Sequence, residues 1–267
     1  MAAQTGPGDH VIEQGYQAYT DEDHEVWRDL YRRQSELLPG RVCGEFLDGL
    51  DALGVGADGI PDFEDLSELL EPATGWRIVA VPGLIPDDVF FSHLAARRFP
   101  VTNWIRAREK MDYLQEPDVF HDLFGHVPLL TNRYFADYMA AYGRGGLKAM
   151  RLGALDMLAR LYWYTVEFGL IDTPEGLRIY GAGIVSSRGE SIYALDDPAP
   201  NRIAFDLQRI LRSRYRIDDF QETYFVIDSF DALMQATEPD FTPIYEAARA
   251  LPEIAAGEVV AGDRPVS

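Results

Sequence analysis

The segment PDVFHDLFGHVPLL, residues 117–130, sets two histidines five positions apart among Phe, Leu and Val. A buried imidazole without a partner is costly, so His121 and His126 need something to bind. On an unbroken α-helix, positions i and i+5 diverge by about 140°, at roughly 100° per residue. Both reach one ion only if the helix stops between them, and Gly125 with Pro128 supplies that stop. The expectation is that His121 comes from a helix and His126 from the turn leaving it. Further along, LARLYWYTVEFGL (158–170) reads as an almost wholly apolar helix with one acid, Glu167. A carboxylate in such surroundings is paired or binds a metal. Two histidines and one carboxylate form the facial triad of non-haem Fe(II) oxygenases, which keeps positions open for O2 and water. The spacing alone leaves two other readings: histidines that merely pack in a helical binding protein, and a zinc-dependent hydrolase on the same ligands. The hydrolase needs a general base beside a metal-bound water, and HDLFG offers only Asp122.

Around this pair the patterning is helical. The stretch TDEDHEVWRDLYRRQSELLPG (20–40) opens on Thr20, carries acids in its first turn and closes on Pro39–Gly40. Val26, Leu30, Tyr31 and Leu37 follow helical spacing. Further helices are predicted at 41–53, 62–71, 87–96, 131–150, 152–169, 203–213 and 228–249, and strand-like runs at 76–81, 98–102, 213–217 and 223–227. The fold class is therefore mainly α (α+β), a single helix-rich domain over 16–251 with a few short strands. Residues 1–15 and 252–267, rich in Gly, Ala, Pro and acids, are predicted to be flexible ends.

Composition narrows the function. Hydrophobic residues make up 47% of the 267 and charged residues 25%, the balance of a globular chain. With 24 basic against 44 acidic residues the net charge is −20, which argues against nucleic-acid or membrane-surface partners. Cys43 is the single cysteine, so no disulfide framework or Cys-based cluster is available. No apolar run approaches the roughly 18 residues of a bilayer span. MAAQTGPGDH carries neither a basic leader nor an apolar stretch, and the expected location is the cytoplasm.

Three blocks, PDVFHDLFGHVPLL, LYWYTVEFGL (161–170) and IYGAGIVSSRGESIY (179–193), resemble in order and interval the signature blocks of the pterin-dependent aromatic amino acid hydroxylases. YTDEDHEVWRDLYRRQSELLPG resembles that family's N-terminal catalytic segment, and the likeness covers roughly 16–230. The resemblance implies an Fe(II) monooxygenase that uses a tetrahydropterin and O2, with His121, His126 and Glu167 as iron ligands. It implies that Arg106 grips the substrate carboxylate, a task suited to a guanidinium fork. Pro117, Trp163 and Phe168 would wall the substrate ring, with Gly183 and Ser186 lining the same pocket. Ser186 and Glu190 would orient an iron-binding imidazole. For the pterin, the resemblance implies Gly83, Leu84, Ile85 and Phe90 as loop and stacking face, Asp122 acting through water, and Ala159 and Tyr162 completing the wall. Among family members it is most similar to bacterial ones that hydroxylate phenylalanine to tyrosine, bare catalytic domains that are usually monomeric. Ile217 falls where tyrosine-hydroxylating members carry Asp, and an apolar residue there suits an unhydroxylated ring. Tryptophan hydroxylation, or meta-hydroxylation of phenylalanine, is the alternative by the same chemistry.

Overall fold

Helix α1 (Asp21–Leu37) starts at a reciprocal cap: Thr20 accepts from the Asp23 N–H, and the Asp23 carboxylate takes the Thr20 N–H at 2.8 Å. Asp21, Glu22 and Asp23 in its first turn suit the positive end of the helix dipole. The computed structural model describes residues 8–112 and 116–266. After α1 come α2 (Gly44–Ala52) and α3 (Phe63–Thr74), the latter capped by Asp62 and ended by Gly75 at φ 77°. A parallel pair follows, β1 (Arg77–Val81) and β2 (Arg98–Thr102), with α4 (Asp87–Ala95) as the crossover. The central helices are α5 (Arg133–Arg151) and α6 (Leu155–Tyr162).

Beyond them lie β3 (Leu170–Thr173), β4 (Gly176–Ile179), α7 (Ala182–Val185), α8 (Arg188–Asp196), β5 (Asn201–Ala204), α9 (Leu207–Arg212), β6 (Thr223–Ile227), α10 (Phe230–Thr237) and α11 (Phe241–Arg249). The second sheet runs β4-β3-β6-β5, and β6, buried along its whole length, pairs in parallel with both neighbours. One apolar core joins the helices to both sheets, with Trp27, Trp76, Phe120 and Phe124 fully buried. No described helix is long and apolar enough to cross a membrane.

The mainly helical expectation matches this architecture, with differences that have physical causes. The predicted helix 228–249 splits in two, because Pro239 lacks an N–H and restricts the residue before it. The segment predicted as helix from 203 is strand β5 first, and its helix starts only at Leu207 under the Asp206 cap. The predicted strand 213–217 reduces to one bridge, Ser213 to Ile254. The ends, read from composition as loose, are tied where they are described. Ile12 pairs with Ala80, and the Gln14 amide binds Pro61 and Phe63. At the other end Ile254 and Pro265 bridge to Ser213 and Ile203, and Asp263 holds the Arg209 guanidinium at 2.9 Å. Residues 1–7 and 267 of those predicted ends lie outside the described residues.

Helices α4 and α5 approach closely because Gly143 faces α4. A Cβ at Gly143 would stand 2.3 Å from the Ala95 backbone nitrogen and 2.7 Å from the Leu94 Cβ. Since a backbone atom blocks the way, Gly143→Ala must push the helices apart. The expected loss is about 1–3 kcal/mol, read as a lower urea midpoint at unchanged slope.

Candidate metal centre and its surroundings

The helix that carries His121 does not stop at Gly125. Phe120–His126 winds as a π-helix and passes into a 3-10 turn, Val127–Thr131. A π-turn closes from i to i+5, so residues five apart come nearly over one another. Both imidazoles therefore leave one continuous segment on one side, which corrects the expectation of a break between them. Gly125 serves packing instead: a Cβ there would sit 3.1 Å from the Ala182 Cβ and carbonyl oxygen. The predicted α-helix 152–169 likewise widens after α6 into a π segment, Trp163–Glu167, where the Phe168 N–H donates to the Trp163 carbonyl at 2.8 Å. That second wide turn delivers Glu167.

The three side chains meet. His121 Nε2 and His126 Nε2 are 3.3 Å apart, and the Glu167 oxygens lie 3.5 Å from the first and 3.3 Å from the second. Ser186 Oγ donates to the Ala182 carbonyl at 2.7 Å, so it accepts from His121 Nδ1 at 2.9 Å. That places the proton on Nδ1 and leaves Nε2 a bare lone pair, as a metal-binding imidazole requires. The His126 ring packs between Phe99 and Tyr162. Burial pushes His121 below the ordinary histidine range. Burial pushes the Glu167 carboxyl up, but His126, His121 and the Gly183 N–H outweigh it and hold it below its usual value. Two imidazole nitrogens and a carboxylate thus converge on one point, a donor set suited to a divalent first-row cation. The donor set fits such an ion. Removing the Ser186 hydroxyl frees the His121 ring to turn and change tautomer. Ser186→Ala is expected to weaken Fe(II) binding about 10- to 100-fold, measured by competition with a chromogenic chelator.

Around the triad the predicted residues fall into place unevenly. Arg106 is buried and fixed: its Nε and Nη2 grip the two Asp118 oxygens at 2.8 Å each, leaving the outer Nη1–Nη2 edge as the side that can take a second carboxylate. Asp118 also accepts the backbone N–H groups of Arg106 and His121, so it ties the arginine to the metal-binding segment. Sequence reading passed over Asp118, although an acid inside PDVFHDLF carried the same signal as Glu167. Trp163 stacks face to face on Tyr215 at 4.3 Å and lies 4.7 Å from the Phe168 ring. Gly183 has no Cβ because one would stand 2.8 Å from that Phe168 ring. Pro117 is half-buried at the start of the histidine segment.

On the other flank Phe90 meets Tyr162 edge-on at 6.0 Å, and Ala159 lies half-buried on α6. Gly83 takes φ 155° with open space where a Cβ would go, Leu84 is 76% exposed and Ile85 half-buried. Asp122, raised by burial, spends one oxygen on the Thr102 N–H at 2.8 Å. Glu190 departs from its expected place: its hydrogen bonds go to the Gln221 N–H and the Tyr224 hydroxyl, not to an imidazole. Ile217, 74% exposed, stands on the loop that follows Tyr215.

Over residues 9–242 the sequence matches the model of the biopterin-dependent aromatic amino acid hydroxylases. The chain belongs to that family. This hydroxylase is 67% identical over 263 residues to the phenylalanine-4-hydroxylase of Ralstonia nicotianae, covering 98% of this chain and 84% of that one. To the Mus musculus phenylalanine-4-hydroxylase it is 36% identical over 217 residues, 80% of this chain and 48% of the relative. Its fold superimposes on the iron- and phenylalanine-bound phenylalanine hydroxylase of Chromobacterium violaceum with a TM-score of 0.94, at 60% identity over 99% of this chain and 97% of the other. The helix-rich fold expected from the sequence is the fold of those hydroxylases.

Proposed function

We propose that this hydroxylase converts L-phenylalanine to L-tyrosine, with O2 and a tetrahydropterin, at a non-haem Fe(II) held by His121, His126 and Glu167. The observation that carries the reading is the convergence of those three donors, with the His121 proton pinned by Ser186. Relatives named phenylalanine-4-hydroxylase over nearly the whole chain support it. Iron and reduced pterin, when bound, supply the activated oxygen that enters the aromatic ring. The chain's own residues hold and orient. Arg106, rigid in the grip of Asp118, presents its outer edge to the amino-acid carboxylate. Trp163, Phe168 and Pro117 wall the ring, and Gly183 leaves room for Phe168 beside it. Phe90, Tyr162 and Ala159 face the pterin, with Gly83, Leu84 and Ile85 forming its loop and Asp122 its acidic contact. Apolar walls on both sides keep water from the reacting carbon. The histidines and Glu167 act as ligands rather than as proton carriers.

The test is anaerobic Fe(II) reconstitution, then aerobic turnover of phenylalanine with and without a tetrahydropterin. Para-tyrosine that needs both iron and pterin supports the reading. Predominant meta-tyrosine, or 5-hydroxytryptophan from tryptophan, replaces the substrate or the position. Turnover independent of pterin and O2 replaces the reaction class. We read the chain as a cytoplasmic monomer, the state usual for the bacterial members it resembles. Sizing chromatography at micromolar concentration tests the oligomeric part.

A further inference from the structure

Gln221 is 3% exposed and makes a polar cross-link that the metal chemistry does not use. Its side-chain oxygen accepts the Trp163 indole N–H at 2.8 Å. Its amide nitrogen donates to the Arg216 carbonyl at 3.0 Å and the Asp219 carbonyl at 3.3 Å, closing the loop between Tyr215 and itself. Its own N–H donates to the buried Glu190 carboxylate at 3.1 Å, and the same oxygen takes the Tyr224 hydroxyl of β6. Every polar group of Gln221's side chain is thus spent, and its backbone is anchored to the sheet.

Trp163 has only one polar atom, and that atom is the one held. Its ring lies against Tyr215 on one side and beside Phe168 on the other. Stacking contacts tolerate sliding and in-plane rotation, because dispersion has no strong direction. A hydrogen bond from Nε1 does not, since it weakens steeply off its axis. The indole's rotation about its stacking axis is therefore fixed from Gln221, and with it the position of the ring edge beside Phe168.

We propose that Gln221 is a positioning residue for substrate selection: through Trp163 it sets the shape of the wall that distinguishes phenylalanine from bulkier or substituted aromatic amino acids. Glu190 and Tyr224 hold Gln221 in place, which gives Glu190 a task at the substrate wall. The inference rests on the reading that Trp163 lines the substrate pocket.

The experiment compares Gln221→Met with the parent enzyme, both loaded with Fe(II) and assayed with a tetrahydropterin. The substrates are phenylalanine, 4-methylphenylalanine and tryptophan. The expected result is a phenylalanine KM raised about three- to ten-fold, the scale of one hydrogen bond, with a smaller change in kcat. The kcat/KM preference for phenylalanine over the two larger substrates falls by a similar factor. Iron stoichiometry stays unchanged. In a Trp163→Phe background, which has no indole N–H to hold, Gln221→Met has no further effect on that preference. If Gln221→Met unfolds or loses iron, Gln221→Asn carries the same comparison, as it keeps the amide and withdraws the acceptor by one methylene. Equal loss on all three substrates, or the same loss in the Trp163→Phe background, overturns the proposal and leaves Gln221 a purely structural cross-link. A parent enzyme that forms no hydroxylated product overturns instead the functional reading on which it rests.

Discussion

Asp118→Ala is expected to lower the stability of this hydroxylase by about 3–5 kcal/mol and to remove most of its grip on phenylalanine. Asp118 is wholly buried and Arg106 is 7% exposed, so deleting the carboxylate strands a guanidinium away from water. The backbone N–H groups of Arg106 and His121 lose their acceptor at the same stroke. Unpaired buried donors cost about 1–3 kcal/mol each, although here the losses overlap because all three donors share one partner. For a chain of this size roughly 2–4 °C of melting temperature goes with each kcal/mol, so calorimetry should find a fall of roughly 6–20 °C. Asp118→Asn separates fold from function. It keeps the shape and one acceptor oxygen, so its melting temperature should fall less while the phenylalanine KM still rises. A shift below about 3 °C for Asp118→Ala would show that Arg106 finds another counter-charge, and the positioning argument would then fail.

Glu167→Ala should cut turnover at least about 1,000-fold, roughly 4 kcal/mol of barrier. Glu167 sits 3.3–3.5 Å from the two imidazole nitrogens, where it completes the set of groups that would hold the ion. Glu167→Gln keeps the shape but replaces the carboxylate by a weaker ligand, and it should lower turnover as well. Added Fe(II) stabilises only the form that binds it, in proportion to RT ln(1 + [L]/Kd), so the parent's melting temperature should climb with iron while the variants' stays level. A variant that still climbs would place the ion elsewhere.

Much of this was legible in the sequence, for reasons that differ residue by residue. Helix α1 announced itself through Thr20 and its acids, because a cap is a local device. His121, His126 and Glu167 stood out as polar groups in apolar runs, and burial of such groups always demands an explanation. The winding that unites them did not, since a 3.6-residue pattern carries no mark of where a turn will widen. Strands β3, β4 and β5 are four residues each and exist through pairing with β6 and one another, a contact that no local period records. Gln221 and Glu190 took their tasks from a loop that returns to β6 from a distance. Asp118 carried the same mark, an acid in an apolar run, but its task as the partner of Arg106 lies in a contact 12 residues back that no local pattern records.

The wide turn at the histidines has a consequence for how such a site tolerates change in length. A π segment holds one residue more than an α-turn accommodates, and shedding that residue returns it to regular helix. A single deletion between His121 and His126 would therefore be absorbed with little damage to the helix, and it would leave the imidazoles at i and i+4, about 40° apart and still on one face. The pair of histidines is therefore expected to survive a one-codon deletion between them better than the loss of either ring.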